Sequence, residues 1–332
     1  MSSDFNPYYN YDSDALMNLI TAFQKSRIIL TACELDIFNA LGKDSKTAGQ
    51  VASDIQTDER ATGRLLNALV ALNILEKNKN LYSNNKSAQK YLVNGASEYF
   101  GNVKHLNHLW DIWNNLTDVI KQGKPSEIDF EKNSTNLENF VSSMHFRAKQ
   151  HVVELTDLID FSDIIHVLDL GGCSGAYSME FSRAKPLLKC TIFDLPEVIP
   201  HTRKILEDAG FSYKIELLSG DMFTDDIGKG YDMIFASNIL HSYSLWENIK
   251  LLERCYDALK YNGKLIIHDM MLNEDKVTPP ANAVFNINML VNTTHGETYT
   301  LLDLFFMLKE AWFSIDSTQH TAFGSDLIFA HK

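Results

Sequence analysis

The sequence predicts an α/β protein in which a mostly parallel sheet, covered by helices on both sides, follows an all-helical N-terminal part. Short apolar runs alternate with amphipathic helices from Ile164 onward, and this alternation is typical of βαβ units with parallel strands. Before Ile164, apolar residues recur mainly at helical spacing. The predicted parallel strands are residues 164–170, 189–193, 214–218, 232–236 and 264–268.

The N-terminal part has the element order of a winged helix. Apolar residues recur at helical spacing over residues 14–40, and Thr47 is placed to cap a helix over residues 48–54. A further helix over residues 60–75 leads into a short hairpin at residues 74–83. The apolar positions exceed what a winged helix of this size buries alone, which predicts a homodimer through this part.

Two more segments complete the predicted architecture. Residues 98–158 carry large apolar side chains in helices, interrupted by a polar loop at residues 121–136. After the parallel strands, a helix over residues 300–311 precedes strands at residues 312–318 and 325–330, whose short connection predicts an antiparallel pair at the sheet edge. The expected domains are residues 1–97, a helical linker at residues 98–160, and residues 161–332.

The composition fits a soluble globular protein. The chain has 332 residues, 45% of them hydrophobic and 22% charged, and no apolar run reaches the roughly 18 residues of a membrane helix. The first ten residues lack the basic stretch and apolar core of a secretory signal. The 4 cysteines form no C-x-x-C pair and no Cys/His ligand pattern. We therefore expect no metal site, no disulfide framework, and a cytoplasmic location.

The net charge of −13 disfavours nucleic acid as a partner, because an acidic protein repels polyphosphate. Residues 42–92 are an exception, since eight Lys/Arg and five Asp/Glu give a local balance of +3. A winged helix with this local charge leaves a DNA-binding regulator as an alternative. The helix over residues 60–75 argues against it, because that helix is apolar on more than one face, whereas a major-groove reader needs a polar face.

A glycine-rich turn, DLGGCSG at Asp169–Gly175, follows the first predicted parallel strand and opens a helix. Glycines let a backbone turn tightly and approach a ligand closely. The unpaired N–H groups of the following helix suit a carboxylate or similar anion. A tight turn without a ligand is the alternative interpretation.

Acidic turns follow the next two strands. Asp194 ends the second strand, where an acidic side chain in a doubly wound sheet accepts ribose hydroxyls. Asp221 follows the third strand, where a carboxylate suits the adenine amino group and Met222 or Phe223 suits a ring face. Each is also compatible with a structural cap or turn. Because the sequence has no G-x-x-x-x-G-K-[ST] motif and no basic residue in the glycine turn, the three turns together predict a nucleoside without phosphates.

A candidate general base follows the fourth strand. His241 lies at the predicted mouth of the sheet, Asp269 ends the fifth strand, and Glu297 follows a loop, so both carboxylates are expected to flank His241. A carboxylate beside an imidazole fixes its tautomer, which suits a general base. A solvated loop histidine is the alternative. His268 is expected to point to the opposite face of its strand and to be structural.

With these motifs in place, the chain resembles the plant-type small-molecule O-methyltransferases, which include caffeate and acetylserotonin methyltransferases and bacterial polyketide and phenazine relatives. The resemblance covers nearly the whole chain. It implies a Rossmann-like class I methyltransferase sheet, a winged-helix dimerisation domain and a homodimer. The charge and hydropathy of the chain separately predict no nucleic-acid or membrane partner. The matching motifs are D-x-G-G-x-x-G, F-D-L-P, G-D-M-F, L-H and G-E-T, which begin at Asp169, Phe193, Gly220, Leu240 and Gly296.

The resemblance also implies roles for individual residues. S-adenosylmethionine would be the cofactor and S-adenosylhomocysteine the product, without a metal, and His241 would deprotonate the acceptor hydroxyl beside Asp269 and Glu297. The residues implied in cofactor binding are Gly171, Gly172, Gly175, Asp194, Leu195, Asp221, Met222, Phe223 and Arg147. The candidates for binding a small aromatic or polycyclic acceptor, which are also consistent with core packing, are Trp110, Trp113, Met144, Phe285 and Met289.

Some positions depart from the family pattern. Cys173 stands where the family usually has glycine, so a slightly wider turn is expected. Ser237 stands where plant members often carry a lysine that helps to hold the cofactor carboxylate, and Arg147 is expected to substitute for it. Ser242 and Tyr243 replace the common Asp-Trp pair. Relatives with this fold include decarboxylases, hydroxylases and C-methyltransferases, and these reactions remain alternatives to O-methylation.

Overall fold

The computed structural model describes residues 10–96, 98–101, 103–125 and 134–332. The chain divides into two compact units, an N-terminal unit that ends at Asp111 and a C-terminal unit that begins at Ile112. The predicted linker at residues 98–160 is divided between these units. Within the described ranges, no helix is both long enough and apolar enough to cross a membrane.

The N-terminal unit has the predicted order of helices followed by a small hairpin. Its core includes Phe38, Leu66 and Leu69, each at most 1% exposed. The hairpin is antiparallel, with Leu75 opposite Asn84. The elements are α1 (Ser13–Glu34), α2 (Ile37–Leu41), α3 (Ala48–Asp54), α4 (Glu59–Ala71), β1 (Leu75–Asn78), β2 (Leu81–Asn84), α5 (Lys86–Tyr91) and α6 (Val103–Trp113), which crosses into the second unit.

Side-chain caps explain where two of these helices begin, and the backbone conformation of one residue explains where the second of them ends. Thr47 caps α3 as predicted, and the Asp58 carboxylate accepts the Ala61 N–H at the start of α4. The prediction that α4 continues to residue 75 is wrong. The helix ends at Ala71 because Asn73 has φ +57°, in the left-handed region, which a right-handed helix cannot continue through.

The C-terminal unit contains one mixed sheet with the order β5-β4-β3-β6-β7-β9-β8. The first five strands of the unit pair in parallel, and β9 pairs antiparallel with both β7 and β8, as the sequence predicts. The strands are β3 (His166–Leu170), β4 (Lys189–Asp194), β5 (Ile215–Ser219), β6 (Tyr231–Ser237), β7 (Leu259–Asp269), β8 (Ser314–His320) and β9 (Asp326–His331).

Helices cover both faces of this sheet, and two buried apolar clusters contain side chains of its strands. The strand β7 begins five residues earlier than predicted, because buried Leu259 pairs with Tyr231 across an irregularity in the register. Residues 126–133 of the predicted polar loop lie outside the described residues. The helices are α7 (Leu116–Gln122), α8 (Ser134–Asp157), α9 (Ala176–Ala184), α10 (Ile199–Asp208), α11 (Leu245–Ala258), α12 (Pro280–Asn292) and α13 (Leu301–Glu310).

The strand register brings the predicted functional segments to one edge of the sheet. Leu170 at the end of β3 lies between Phe193 of β4 and Ala236 of β6, while Ser237 lies opposite His268 of β7. The carboxyl ends of these strands therefore form one row, which is where doubly wound sheets bind their ligands.

Candidate active site

The turn between β3 and α9 depends on glycine for its close contacts. Gly171 has φ +64°, and a Cβ there would stand 2.2 Å from Cδ1 of Ile239. A Cβ on Gly172 would stand 2.7 Å from Cγ of Asp169. Gly175 then serves as the N-cap of α9 in the left-handed conformation. The turn is therefore a narrow backbone cradle that larger residues would obstruct.

Cys173 occupies the left-handed region within this turn, with φ +48°, a conformation that L-residues with a side chain adopt at a cost. Two bonds hold it there. Its N–H donates to Oδ2 of Asp194 at 2.7 Å, and the Thr202 hydroxyl donates to its carbonyl oxygen. The bonds tie the glycine turn directly to the end of β4.

Asp194 is a buried carboxylate, 7% exposed, whose position is set by backbone donors. Oδ2 accepts from the Cys173 N–H, and Oδ1 accepts from the Leu195 N–H at 2.8 Å. Burial raises the pKa of Asp194 to about 6, while the two backbone bonds act to lower that pKa. No cation pairs with Asp194 among the described residues. Each oxygen keeps a lone pair that suits a ligand hydroxyl.

The Asp169 side chain packs against the same turn at Gly172. It is 1% exposed, and its Oδ2 accepts from the Ser178 hydroxyl at 2.7 Å. Burial raises the pKa of Asp169 to about 7. The sequence motifs do not point to Ser178, and the signal that could identify it is its position three residues after Gly175, in the first turn of the helix that follows the glycine turn.

The turn after β5 lies beside the glycine turn. Oδ1 of Asp221 accepts from the Phe223 N–H at 2.8 Å, and its Oδ2 forms no hydrogen bond within the described ranges. The Met222 methyl carbon is 3.8 Å from the point where a Cβ on Gly171 would stand. The Phe223 ring meets the Tyr243 ring edge-on, with centroids 4.7 Å apart.

His241 and Asp269 form a buried pair. His241 lies in a 3₁₀ turn, Leu240–Ser242, that follows β6, and Asp269 ends β7. The two side chains are about 10% and 2% exposed, and Nδ1 of His241 is 2.6 Å from Oδ1 of Asp269. Because a carboxylate oxygen accepts, Nδ1 carries the proton. Nε2 has no hydrogen-bond partner in the described part of the chain, so it is the nitrogen left to take a proton.

The expected contact between Glu297 and His241 is not formed. Oε1 of Glu297 is 3.6 Å from Nζ of Lys276, and the Glu297 side chain is 47% exposed. The residue of this loop that contacts His241 is Gly296, since a Cβ on Gly296 would stand 2.4 Å from the His241 carbonyl oxygen. The backbone of this loop therefore packs on His241, while the Glu297 carboxylate has a different partner near solvent.

His268 is structural in its contacts, as the sequence predicts. Its Nδ1 is 2.8 Å from the Ser237 hydroxyl, and its Nε2 is 2.7 Å from the Ser325 hydroxyl. Burial lowers the pKa of His268 to about 4, so it is neutral near pH 7. It links β6, β7 and the start of β9 through neutral hydrogen bonds.

Arg147 on α8 is solvent-exposed. The protein atoms around its guanidinium nevertheless displace part of its hydration, and this desolvation lowers the pKa of Arg147. Its charge acts on the Tyr177 hydroxyl, which also lies beside Ser237. Burial raises the pKa of Tyr177 to about 12, so this phenol remains a neutral hydrogen-bonding group.

Among the acceptor-site candidates, Phe285 contacts the His241 ring. Its ring meets His241 edge-on, with centroids 5.0 Å apart. Met289, one turn further along α12, is 6% exposed. Nε1 of Trp113 donates to Oδ1 of Asn288 at 3.1 Å, which joins Trp113 to the same helix.

The other two acceptor candidates have less defined surroundings. Met144 is half-buried on α8. Trp110 belongs to the N-terminal unit, where the Arg27 guanidinium lies 5.7 Å from its ring centroid. Their predicted contact with an acceptor stays a prediction.

The edge of the sheet thus combines a backbone cradle, a buried carboxylate with free lone pairs, and a His–Asp pair. Such a set can hold the hydroxyls and amine of a nucleoside and withdraw a proton from a neighbouring group. In the ranges that the structure describes, no cluster of three or more His, Cys, Asp or Glu residues is arranged to hold a metal ion.

Solved structures with the same fold cover nearly the entire chain. PigF with SAH matches with a TM-score of 0.90 at 23% identity, covering 97% of this chain and 100% of that one. Human N-acetylserotonin methyltransferase in complex with SAM matches with a TM-score of 0.85 at 22% identity, covering 99% of each chain. At these identities the likeness establishes the fold.

Related sequences also match this chain over most of its length and most of their own. The chain is 29% identical to 3-hydroxy-5-methyl-1-naphthoate 3-O-methyltransferase of Streptomyces sahachiroi, over 89% of this chain and 88% of that protein. It is 26% identical to acetylserotonin O-methyltransferase of Gallus gallus, over 93% and 94% of the two chains.

Two family descriptions match separate parts of the sequence. The O-methyltransferase dimerisation domain matches residues 17–94. The O-methyltransferase domain matches residues 113–314, which is more than half of the chain and includes the glycine turn, Asp194 and the His241–Asp269 pair. The chain therefore belongs to the O-methyltransferase family and is an S-adenosylmethionine-dependent enzyme.

Proposed function

We propose that the enzyme methylates a hydroxyl group of a small aromatic or polycyclic acceptor, with His241 as the general base. The observation that carries the proposal is the buried 2.6 Å contact between His241 and Asp269. S-adenosylmethionine, when bound, supplies an electrophilic methyl group. The chain's own residues bind and orient the two reactants and remove the hydroxyl proton.

The glycine turn and its neighbours fit the nucleoside part of S-adenosylmethionine. The backbone at Gly171 and Gly172 leaves space that a Cβ would fill. Asp194, held by two N–H groups and free of cations in the described residues, suits the ribose hydroxyls. Asp221 has an uncommitted oxygen for the adenine amine, and Met222 lies beside the turn. We assign the remaining lining to Gly175, Leu195 and Phe223.

Arg147 is the proposed partner of the cofactor's carboxylate. Its charge acts on Tyr177, which lies on α9 directly after the glycine turn. A guanidinium offers paired donors that match a carboxylate. Ser237, which bonds to the Tyr177 hydroxyl, carries no charge, so in this proposal Arg147 supplies the positive charge that this end of the cofactor needs.

Deprotonation depends on the orientation of His241. Asp269 fixes the proton on Nδ1 and stabilises the imidazolium that forms when Nε2 takes the acceptor's proton. Phe285 packs edge-on against the ring, which limits its rotation. Positioned general bases typically accelerate proton transfer by about 100- to 10,000-fold.

The relatives' names suggest the acceptor class. They include a hydroxynaphthoate and acetylserotonin O-methyltransferase activity. In the proposal, Phe285, Met289, Trp113 and Met144 of the C-terminal unit offer aromatic and thioether side chains to such a ring. One relative, at 27% identity, is an N,N-dimethyltransferase, OxyT of Streptomyces rimosus. A test panel should therefore contain an aromatic amine beside the phenols.

The first prediction concerns the base. With labelled S-adenosylmethionine and a panel of phenols, hydroxynaphthoates and one aromatic amine, we expect transfer to hydroxyl oxygen. His241→Ala should lower kcat by about 100- to 10,000-fold, because the proton acceptor is lost. The loss should be smaller for more acidic phenols. Affinity for S-adenosylhomocysteine, measured by calorimetry, should stay within about twofold.

A matched control is His331→Ala, because His331 also bonds to a carboxylate, Asp316, at 2.7 Å, but at the protein surface. It should leave kcat unchanged. Full activity of His241→Ala across phenols of different acidity would show that the histidine only packs, and that the base assignment is wrong.

The second prediction is a pH dependence of cofactor binding. Burial raises the pKa of Asp194 to about 6, and hydroxyls donate more strongly to a carboxylate than to a carboxylic acid. Affinity for S-adenosylhomocysteine should therefore be highest above pH 6 and fall about tenfold by about pH 5. Calorimetry over this range should show no comparable fall for Asp194→Asn, which also separates the effect from Asp169.

The unliganded protein should respond in the opposite direction. The raised pKa means that folded Asp194 retains its proton between its ordinary value and about 6, so stability decreases as the pH rises through this interval. Affinity that stays flat from about pH 5 to pH 7.5 in the wild type would remove Asp194 from the ribose site.

The third prediction is a homodimer formed through the N-terminal unit. The helix α1 exposes a row of large apolar side chains, and obligate interfaces of this kind bury about 2,000 Å² or more. Light scattering should give twice the chain mass at micromolar concentration. The exposed residues are Leu16, Met17, Leu19, Ile20 and Phe23, between 47% and 60% exposed.

Ile20→Asp combined with Phe23→Asp should give a folded monomer, since charges would replace the apolar contact. Leu187→Asp, at a residue that is 92% exposed in the other unit, is the control and should leave the dimer intact. A wild-type monomer at micromolar concentration would contradict this proposal.

A further inference from the structure

The turn that carries His241 is held by two buried side chains to which the proposed mechanism assigns no role. Asn248, in α11, is 0% exposed, and its Nδ2 donates to the carbonyl oxygens of Leu240 at 2.9 Å and Tyr243 at 3.3 Å. Tyr299, which precedes α13, is 5% exposed, and its hydroxyl donates to the Tyr243 carbonyl oxygen at 2.6 Å.

These hydrogen bonds fix the orientation of both side chains. The carbonyls bound by Asn248 lie on either side of His241 in the chain, and a reversed amide would place its oxygen against two other oxygens. Burial raises the pKa of Tyr299, so it remains a neutral O–H donor. The side chains of Asn248 and Tyr299 also lie beside each other. Together they hold the backbone carbonyls of Leu240 and Tyr243, which lie before and after His241.

Tyr299 also bonds to the chain that follows Asp269. Its carbonyl oxygen accepts from the Leu272 N–H at 2.9 Å, three residues after Asp269. The next residue, Thr300, begins α13 in a capping box with Asp303. Tyr299 is thus anchored on a helix, bonded through its backbone to the chain after Asp269 and through its side chain to the chain after His241.

The other end of the His241 turn meets the cofactor cradle. Ile239 lies against Gly171, so the segment that carries His241 starts beside the glycine turn, and its bonds to Asn248 and Tyr299 hold the part that contains His241. We propose that Asn248 and Tyr299 are positioning residues, which set His241 against Asp269 and the cofactor cradle. This inference rests on the proposed role of His241 as the base.

Tyr299→Phe tests the inference with little change in volume. We expect kcat to fall about 5- to 30-fold, equivalent to about 1–2 kcal/mol at 1.4 kcal/mol per tenfold, on the panel acceptor that the wild type methylates fastest. Affinity for S-adenosylhomocysteine should stay within about twofold. Backbone amides of residues 241–243 should exchange with solvent faster, a readout that needs no acceptor.

The matched control is Tyr231→Phe. Tyr231 is 3% exposed and also donates its hydroxyl to a backbone carbonyl, that of Ile227 at 2.9 Å, at the opposite end of β6 from His241. It should lower the melting temperature about as much as Tyr299→Phe, while leaving kcat and the exchange of residues 241–243 unchanged. Asn248→Ala is a second, independent variant and should behave like Tyr299→Phe.

A double-mutant cycle separates this inference from the proposed function. If Tyr299 acts through His241, then Tyr299→Phe should cost almost nothing in a His241→Ala background. An equal loss in both backgrounds, or unchanged kcat in both single variants, would overturn the positioning role while leaving the base intact. A His241→Ala variant with full activity would instead overturn the proposed function.

Discussion

The hydrogen bond between Nδ1 of His241 and Oδ1 of Asp269 is the contact on which the rest of the site depends. Its 2.6 Å length is set by the sheet, because Asp269 ends β7 and His241 follows β6, whose last residue pairs with His268. Asp269 has little freedom, since its Oδ1 also accepts from the Met270 N–H. With Nδ1 committed to this bond, Nε2 is the nitrogen that the proposed mechanism uses for the acceptor's proton, and Asp269 is the carboxylate that bonds to the ring.

The cofactor side of the site works under a different constraint, the burial of negative charge. Burial raises the pKa of both Asp169 and Asp194, to about 7 and about 6, and neither has a cationic partner in the described ranges. Donors compensate instead, from Ser178, Cys173 and Leu195. In the proposed binding mode, the two ribose hydroxyls would add two more donors to Asp194. In the proposed ribose site, the same charged carboxylate that makes the unliganded fold less stable would strengthen binding.

The spacing of apolar runs and turn residues in the sequence predicts the strands, their parallel order and the row of acidic and glycine turns, because these features depend on residues that are close in the chain. It does not predict the end of α4, which depends on the left-handed conformation of Asn73. It also misplaces Glu297, because the side chain beside His241 depends on how the loop passes at Gly296. Asn248 and Tyr299 leave no motif, since their partners are backbone carbonyls whose positions only the folded chain defines.

The most direct test of this account is the tautomer of His241. Nitrogen NMR of the ¹⁵N-histidine-labelled enzyme, with His241→Ala used to assign the signal, distinguishes a protonated from an unprotonated ring nitrogen at a pH where the imidazole is neutral. We predict a proton on Nδ1 and none on Nε2, and loss of this preference in Asp269→Asn. A neutral ring that carries its proton on Nε2 would contradict the account, because that nitrogen could not then accept the proton of the acceptor hydroxyl.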